Sequence, residues 1–371
     1  MALLEPLSLY LPTQPEKTVI KAYNTYSKAE RKRIMTQNPA SFLHILGTGQ
    51  NDVEPTLAIR RAYEKALQTS AYQQYNTGYW VYQIEASDRT YTGLVAGLPL
   101  RFIQQGKLRV HEATFSARIA KLGAYLVDVQ IQAEPIVAAL SDAEQLQSLL
   151  EGITDEKPTI EFTFNTRTHR LWQVVDVQTY NKLEKELAAY KHCYLIDGHH
   201  RAAALQYAAT QHPKTKPLHL LGYFLPEAQI KAASFFWFIR KLPKAFQATL
   251  FEKLGPVASC DANTLPNIQY PIVFRLHNQS YTIQKQGEWY PQLCQLYRLL
   301  EEAEPQIEFF PRKNKQSLAH SFAKKTPDFS CCYLPLSFAE IQQVADTHGK
   351  VPPKTTYLHP KLLTGQFLSP L

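Results

Sequence analysis

The stretch Ile196-Asp197-Gly198-His199-His200-Arg201 gathers a carboxylate, a glycine, two imidazoles and a guanidinium into one short run. The apolar run Cys193-Tyr194-Leu195-Ile196 leads into it, and an alanine-rich, helix-favouring run from Arg201 to Ala209 follows. This order predicts a strand, a tight turn at Asp197-Gly198 and a helix opening at Arg201. Backbone N–H groups at such a helix start lie at the positive end of the helix dipole, where anions bind, and phosphate fits that geometry. Gly198 lets the backbone approach a ligand, Arg201 carries the planar fork that grips phosphate oxygens, and His199 and His200 offer donors or a proton acceptor near neutral pH. A plainer reading uses the same residues: Asp197 caps the helix, Gly198 makes the turn and the histidines satisfy local hydrogen bonds. Zinc needs converging ligands, whereas adjacent side chains on a helix splay apart and no H-x-x-x-H spacing accompanies them. No tightly held metal is expected.

A second group, His111-Glu112-Ala113-Thr114, follows the basic stretch Lys107-Leu108-Arg109-Val110. It lacks the histidine three residues after Glu112 that a metalloprotease helix requires. Taken alone the tetrad reads as a surface Glu and His. Its weight comes from supplying a second acid and imidazole pair that faces the first across a cleft, one suited to proton abstraction and the other to phosphate. The third group is Val351-Pro352-Pro353-Lys354-Thr355-Thr356-Tyr357, where prolines stiffen the chain and Lys354, Thr355 and Thr356 can close over an anion. Ordinary turn and strand use accounts for it equally well. His44, His169 and the aromatic pairs Tyr79-Trp80 and Phe235-Phe236 read as packing.

The elements that must position these groups are partly visible in the pattern. Ser27 with Glu30 makes a capping box for a helix from Lys28 to Met35 that stops near Asn38-Pro39. Ser41 to Leu46 reads as a strand, and Pro55 to Gln68 as an amphipathic helix. Tyr79 to Ile84 and Tyr91 to Leu98 form a hairpin about Ala86-Ser87-Asp88-Arg89. Pro135 to Leu140 is strand-like, Ser141-Asp142 caps a helix through Glu151, and Thr159 to Phe164 pairs with Leu171 to Val177. Asn181 to Ala189 is helical. Strands near Leu218 to Phe224, Ala233 to Ile239 and Tyr270 to Leu276, with helices near Ala245 to Leu254 and Phe338 to Ala345, make a second α+β unit beginning near residue 226.

A chain of 371 residues, 45% hydrophobic and 12% aromatic, has room for two packed domains and excludes overall disorder. No run approaches the length of a membrane span and no signal peptide opens the chain, so a cytoplasmic protein without a membrane partner is expected. The five cysteines include no C-x-x-C pair, and reduced thiols follow; vicinal Cys331-Cys332 reads as buried strand, with a redox switch as the alternative. A net charge of +8 suits anionic ligands. It is diffuse, and its densest stretch, Lys28 to Arg33, carries its own acid, so a nucleic-acid partner is not expected.

Taken in order, Asn38-Pro39-Ala40-Ser41-Phe42-Leu43-His44, His111-Glu112-x-Thr114, Glu134-Pro135-Ile136, His169-Arg170-Leu171-Trp172, Asp197-Gly198-His199-His200-Arg201 and Pro352-Pro353-Lys354-Thr355-Thr356-Tyr357 resemble the bacterial family called domain of unknown function 1015. That family is similar to free-serine kinases, whose nucleotide-binding core resembles the ParB/sulfiredoxin superfold. The resemblance implies a mixed α/β, α+β fold. A ParB/sulfiredoxin-like nucleotide and substrate domain would cover 1–225 and carry both the His-Glu and Asp-Gly-His-His-Arg groups, with an α+β domain over 226–371. It implies ATP-dependent phosphorylation of free L-serine, or a similar hydroxy amino acid, to O-phosphoserine. ADP and CTP are the alternative nucleotides, and Mg2+ would arrive with the nucleotide. In that scheme Asp197, Gly198, His199, His200 and Arg201 hold the phosphates, His200 also serving catalysis. Glu112 is the base for the hydroxyl, His111 orients, and Thr114, Lys354, Thr355 and Thr356 contact substrate or form a lid. Many relatives carry Pro-Pro-Tyr-Asp near the start, where this chain has Ala22-Tyr23-Asn24. An amide stands where they have a carboxylate, and this leaves a nucleotide-binding regulatory module without turnover as the competing expectation.

Overall fold

The computed structural model describes residues 2–46, 55–211, 219–243, 246–254, 257–262, 264–277, 279–285, 287–302, 306–311, 327–358 and 361–371. Leu218 and Ala245, which open two of the elements expected from sequence, lie outside these residues. The chain divides into two compact units. One comprises Met1–Arg109, Thr114–Ile230 and Pro360–Leu371, and the other Val110–Ala113 and Lys231–His359. Both mix helices and strands, so the fold is α+β. The sequence put His111 and Glu112 with the N-terminal domain, but the four residues Val110–Ala113 cluster with the second unit.

The first unit is built on an eight-stranded mixed sheet in the order Leu108–Arg109, Cys193–Asp197, Ile136–Leu140, His219–Pro226, Thr90–Pro99, Trp80–Glu85, Arg167–Gln173, Ile160–Phe164. Its central strands are apolar on both faces, which is why they read as continuous hydrophobic runs. Tyr79, Trp80, Tyr82 and Tyr223 are fully buried there, their large ring areas removed from water. The hairpin about Ala86–Arg89 forms as its turn residues dictate, with Ile84 opposite Tyr91. Helix Ser116–Val129 packs on helix His199–Gln211. Gly123 permits the approach, since a Cβ there would meet Tyr207 Cδ1 at 2.5 Å. The C-terminal stretch closes this unit: Ser369–Pro370 pairs with Ile131–Gln132, and Leu368 exchanges backbone hydrogen bonds with Tyr10.

The second unit holds an antiparallel sheet in the order Val257–Cys260, Gln279–Ile283, Ile272–Leu276, Phe329–Tyr333, Ala232–Ile239, Ile307–Pro311, with Thr356–Leu358 pairing the start of Ala232–Ile239. Cys331 and Cys332 are buried in it, and burial, then the neighbouring thiol, pushes Cys331 well above the usual thiol range. It is therefore held protonated and unreactive.

Several elements depart from the sequence expectation for local reasons. Ser41 to Leu46 is not a strand. Phe42–His44 is a 3-10 turn in which Ser41 Oγ accepts from Leu43 N–H, a local bond that folds the chain out of an extended run. The helix after Leu140 starts at Glu144 with no side-chain cap, because Asp142 turns the chain through φ +51°. The strand at Leu171 ends at Gln173 instead of Val177, since Asp176 accepts from Thr179 N–H at 2.7 Å and starts helix Val177–Ala189.

Candidate functional site

Strand Cys193–Asp197 runs parallel to Leu108–Arg109 and antiparallel to Ile136–Leu140, and its register shifts between Leu195 and Asp197. This irregularity re-aims the strand end. Gly198 then takes φ +99°, a conformation that side chains oppose, and its carbonyl accepts Ala202 N–H at 3.0 Å. The helix accordingly opens at His199, two residues earlier than expected, so both histidines lie on its first turn. A Cβ on Gly198 would meet Ile136 Cγ2 at 2.8 Å and Arg201 Nη2 at 2.9 Å. The missing side chain thus makes room for the Arg201 guanidinium.

That guanidinium is heavily engaged. Arg201 Nη1 pairs with Glu134 Oε1 at 2.9 Å, while Nη2 donates to the Pro135 carbonyl at 3.0 Å and to Asp197 Oδ2 at 3.2 Å. Burial opposes its charge, but the Glu134 and Asp197 carboxylates outweigh that, and its pKa rises. The other Asp197 oxygen, Oδ1, accepts from Lys361 Nζ at 2.5 Å. Asp197 is therefore held between two cations, one four residues further along and the other 164 residues away.

His200 Nε2 accepts from Phe115 N–H at 3.0 Å, and the two rings stack with centroids 5.7 Å apart. An accepting Nε2 carries no proton, so the neutral ring is the Nδ1–H tautomer. Phe115 is the residue before helix Ser116–Val129, so this bond ties the starts of two packed helices together. His199 is buried beside it, and Thr114 is half-buried just before Phe115.

The second and third sequence groups come together in the second unit. Glu112 forms a parallel bridge with Val351, His111 carbonyl accepts Val351 N–H at 2.8 Å, and Ala113 N–H reaches Val351 carbonyl at 3.0 Å. Glu112 Oε1 accepts from Lys354 N–H at 2.8 Å, and Oε2 accepts from Thr356 N–H at 3.1 Å and Thr356 Oγ1 at 2.9 Å. Because that hydroxyl donates to Glu112, His111 Nε2, 3.2 Å from Thr356 Oγ1, is the donor to it. Lys354 takes φ +60°, its carbonyl accepts from Tyr333 Oη at 3.1 Å, and its ammonium lies 5.6 Å from the Phe235 ring centroid. Thr355 Oγ1 donates to Pro352 carbonyl at 2.7 Å. His111, Glu112, Thr355 and Thr356 are all buried; the tetrad is not the surface Glu and His that sequence alone suggested.

Sequence reasoning passed over Glu134 as a working residue, though Glu134-Pro135-Ile136 stood among the family-like stretches, and it passed over Lys361 altogether. A lone lysine after His359-Pro360 carries no local signal; only tertiary structure brings it to Asp197. Among the described residues, no group of three or more His, Cys, Asp or Glu side chains gathers as a metal site, and no helix is long and apolar enough to cross a membrane.

An α+β protein with a glycine-broken strand end, a buried helix start and paired carboxylates and cations describes the first unit. Residues 8–296 match the family described as "Protein of unknown function (DUF1015)", and the chain belongs to that family. Comparison with curated proteins gives no match. Among solved structures, the chain is similar to SbnI with a C-terminal truncation from Staphylococcus aureus, at 14% identity, 75% of this chain, 87% of that one and a TM-score of 0.48. It is also similar to a free serine kinase in complex with AMP, at 14% identity, 71% of this chain, 86% of that one and a TM-score of 0.45. A conserved hypothetical protein from Pyrococcus furiosus matches at 12% identity, 72% of this chain, 92% of that one and a TM-score of 0.44.

Proposed function

We propose that the chain is an ATP-dependent phosphotransferase acting on free L-serine or a similar small hydroxy amino acid, with its nucleotide phosphates held at the Asp197–Arg201 turn. The observation that carries this reading is the strand end itself. Gly198 at φ +99° delivers the chain into the start of a 13-residue helix, and Asp197, Arg201, Glu134 and Lys361 surround that start with two carboxylates and two cations. Polyphosphate fits the helix dipole and the cations, and Asp197 and Glu134 suit the Mg2+ that a nucleotide carries. Bound ATP would supply the phosphoryl group, and its Mg2+ would neutralise charge on it.

The chain's own residues would do the rest by positioning. Asp197 is held in one orientation by Arg201 on one oxygen and Lys361 on the other. His199 and His200 occupy the first helical turn, and His200 keeps that turn against helix Ser116–Val129 through Phe115. Glu112 remains the candidate to take the hydroxyl proton. Its carboxylate has about four acceptor positions, and among the described residues Lys354 and Thr356 occupy three of them, which fixes its orientation. Lys354, Thr355 and Thr356, ordered by the same bonds, are the substrate-side or lid candidates. The soluble setting implied by this chemistry is the cytoplasm.

A second reading rests on Asn24, an amide at the position where the family resemblance implies a carboxylate. In it the chain binds nucleotide and regulates without transferring a phosphoryl group. Incubation of the purified chain with Mg-ATP or Mg-CTP and L-serine separates the two. O-phosphoserine with matching nucleoside diphosphate supports the transferase, and tight nucleotide binding without phosphoserine supports the regulator.

A further inference from the structure

We infer that Arg275 and Ser330 form an oxyanion site, for phosphate or a carboxylate, on one face of the second unit's sheet. The site is independent of the phosphotransfer reading. Arg275 lies on strand Ile272–Leu276, directly opposite Ser330 on one side and Ser280 on the other. Residues paired in this way carry their side chains on the same face, about 5 Å apart. The guanidinium is thus flanked by two serines, and both are buried.

The chain itself leaves this row unsatisfied. Ser330 is 2% exposed, and its Oγ is sealed from solvent with no hydrogen-bond partner among the described residues; Arg275 Nε is in the same state. Among the described residues no ion pair joins Arg275 to a carboxylate, whereas the part-buried Arg170 and Arg201 each pair with two. The carboxylates along the same strands are engaged elsewhere. Glu308 pairs with Arg240 at 2.5 Å, and Asp328 Oδ2 accepts from Leu242 N–H at 3.0 Å. Sheltered polar groups without partners are destabilising, and a sheltered cation without a counter-ion is more so. One oxyanion removes both deficits. Its oxygens accept from the planar Arg275 fork, through Nε and a terminal nitrogen, and from the Ser330 hydroxyl.

The surroundings favour an anion over other ligands. A guanidinium offers donors only, so what meets it must be an acceptor. One row along on the same face, Val273 sits opposite Cys332, and both join Phe236 and Phe238 in an apolar cluster. Attraction between charges strengthens beside such low-dielectric material. Arg275 is only half-buried, which leaves it open to a ligand from solvent.

The test is NMR titration of the full-length chain, isotope-labelled in its arginine side chains, with inorganic phosphate and, separately, with acetate. The Arg275 Nε–H resonance is identified by its loss in Arg275→Lys or, should that chain not fold, in Arg275→Gln. A saturable shift of this resonance at low-millimolar anion is expected, and the anion that saturates it first tells a phosphate site from a carboxylate site. Ser330→Ala is expected to weaken binding about three- to tenfold. Without anion, the same variant should melt no lower than the parent, because it loses a hydroxyl that has no partner. An Arg275 resonance that saturates with neither anion overturns the site. So does a Ser330→Ala chain that binds as the parent does, or one that melts lower in the absence of anions, since its hydroxyl then serves the fold.

Discussion

Glu112 and Thr356 are joined by two hydrogen bonds, and Lys354 adds a third, so the carboxylate is both a candidate base and a clamp on its loop. Replacing one oxygen with an NH2 in Glu112→Gln turns a donor toward backbone N–H groups that need an acceptor. A loss of about 1–3 kcal/mol of stability is expected by urea denaturation. If the carboxylate also takes the hydroxyl proton, the same variant lowers kcat by at least about a hundredfold with nucleotide affinity unchanged. His169 makes a different residue-scale prediction. Its Nδ1 lies 2.7 Å from Tyr82 Oη and its ring stacks on Phe162 at 4.9 Å; burial, helped by Arg167, pushes its pKa down to about 4. Between the unfolded value of about 6.5 and that value, the unfolded chain binds a proton that the folded chain refuses. Stability should therefore fall by about 3 kcal/mol as pH drops through this window, and a His169→Gln chain should lack that slope in denaturation curves taken from pH 7 to 4. The sequence reading had His169 as packing, whereas its Tyr82 and Phe162 neighbours and the proton-binding consequence needed the tertiary structure.

At the scale of elements, local chemistry was the most legible part of the chain. The Ser27–Glu30 capping box forms as the spacing predicts, with Glu30 N–H on Ser27 Oγ at 3.2 Å and Ser27 N–H on Glu30 Oε2 at 2.7 Å. Ser27→Ala should cost about 1 kcal/mol, read as a lower melting temperature. Helix Phe338–Asp346 has the same box at Ser337 and Glu340. Where local signals misled, a short-range hydrogen bond had outcompeted the pattern: Ser41 folding Phe42–His44 into a 3-10 turn, and Asp176 ending a strand early. The turn at Gly198 was legible as a turn, but the purpose of its glycine was not. The space it leaves is filled by Arg201 and Ile136 of the same chain. Gly198→Ala forces a side chain into φ +99° and into both neighbours. A destabilisation of about 1–3 kcal/mol is expected, with nucleotide affinity falling because the helix start and Asp197 shift together.

For the whole molecule, the sequence conveyed an α+β chain of two parts, but not how the chain shares itself between them. Glu112 and Lys354 are 242 positions apart and Asp197 and Lys361 are 164 apart, and no periodicity or motif encodes pairings of that range. The chain lends Val110–Ala113 to the second unit and brings its C-terminal stretch back to the first. Two candidate groups that sequence treated separately, His111-Glu112 and Pro352 to Thr356, are thereby one construction, while the Asp-Gly-His-His-Arg turn gains its second cation from Lys361. Phosphoryl transfer to a small hydroxy amino acid, the proposed activity, is the reading most worth testing on this architecture. Phosphorus NMR of the purified chain with Mg-ATP and L-serine tests it most directly. An O-phosphoserine resonance should grow in step with ADP and be lost in Asp197→Asn; ATP consumption without phosphoserine, or no consumption across a panel of hydroxy amino acids, overturns the proposed activity.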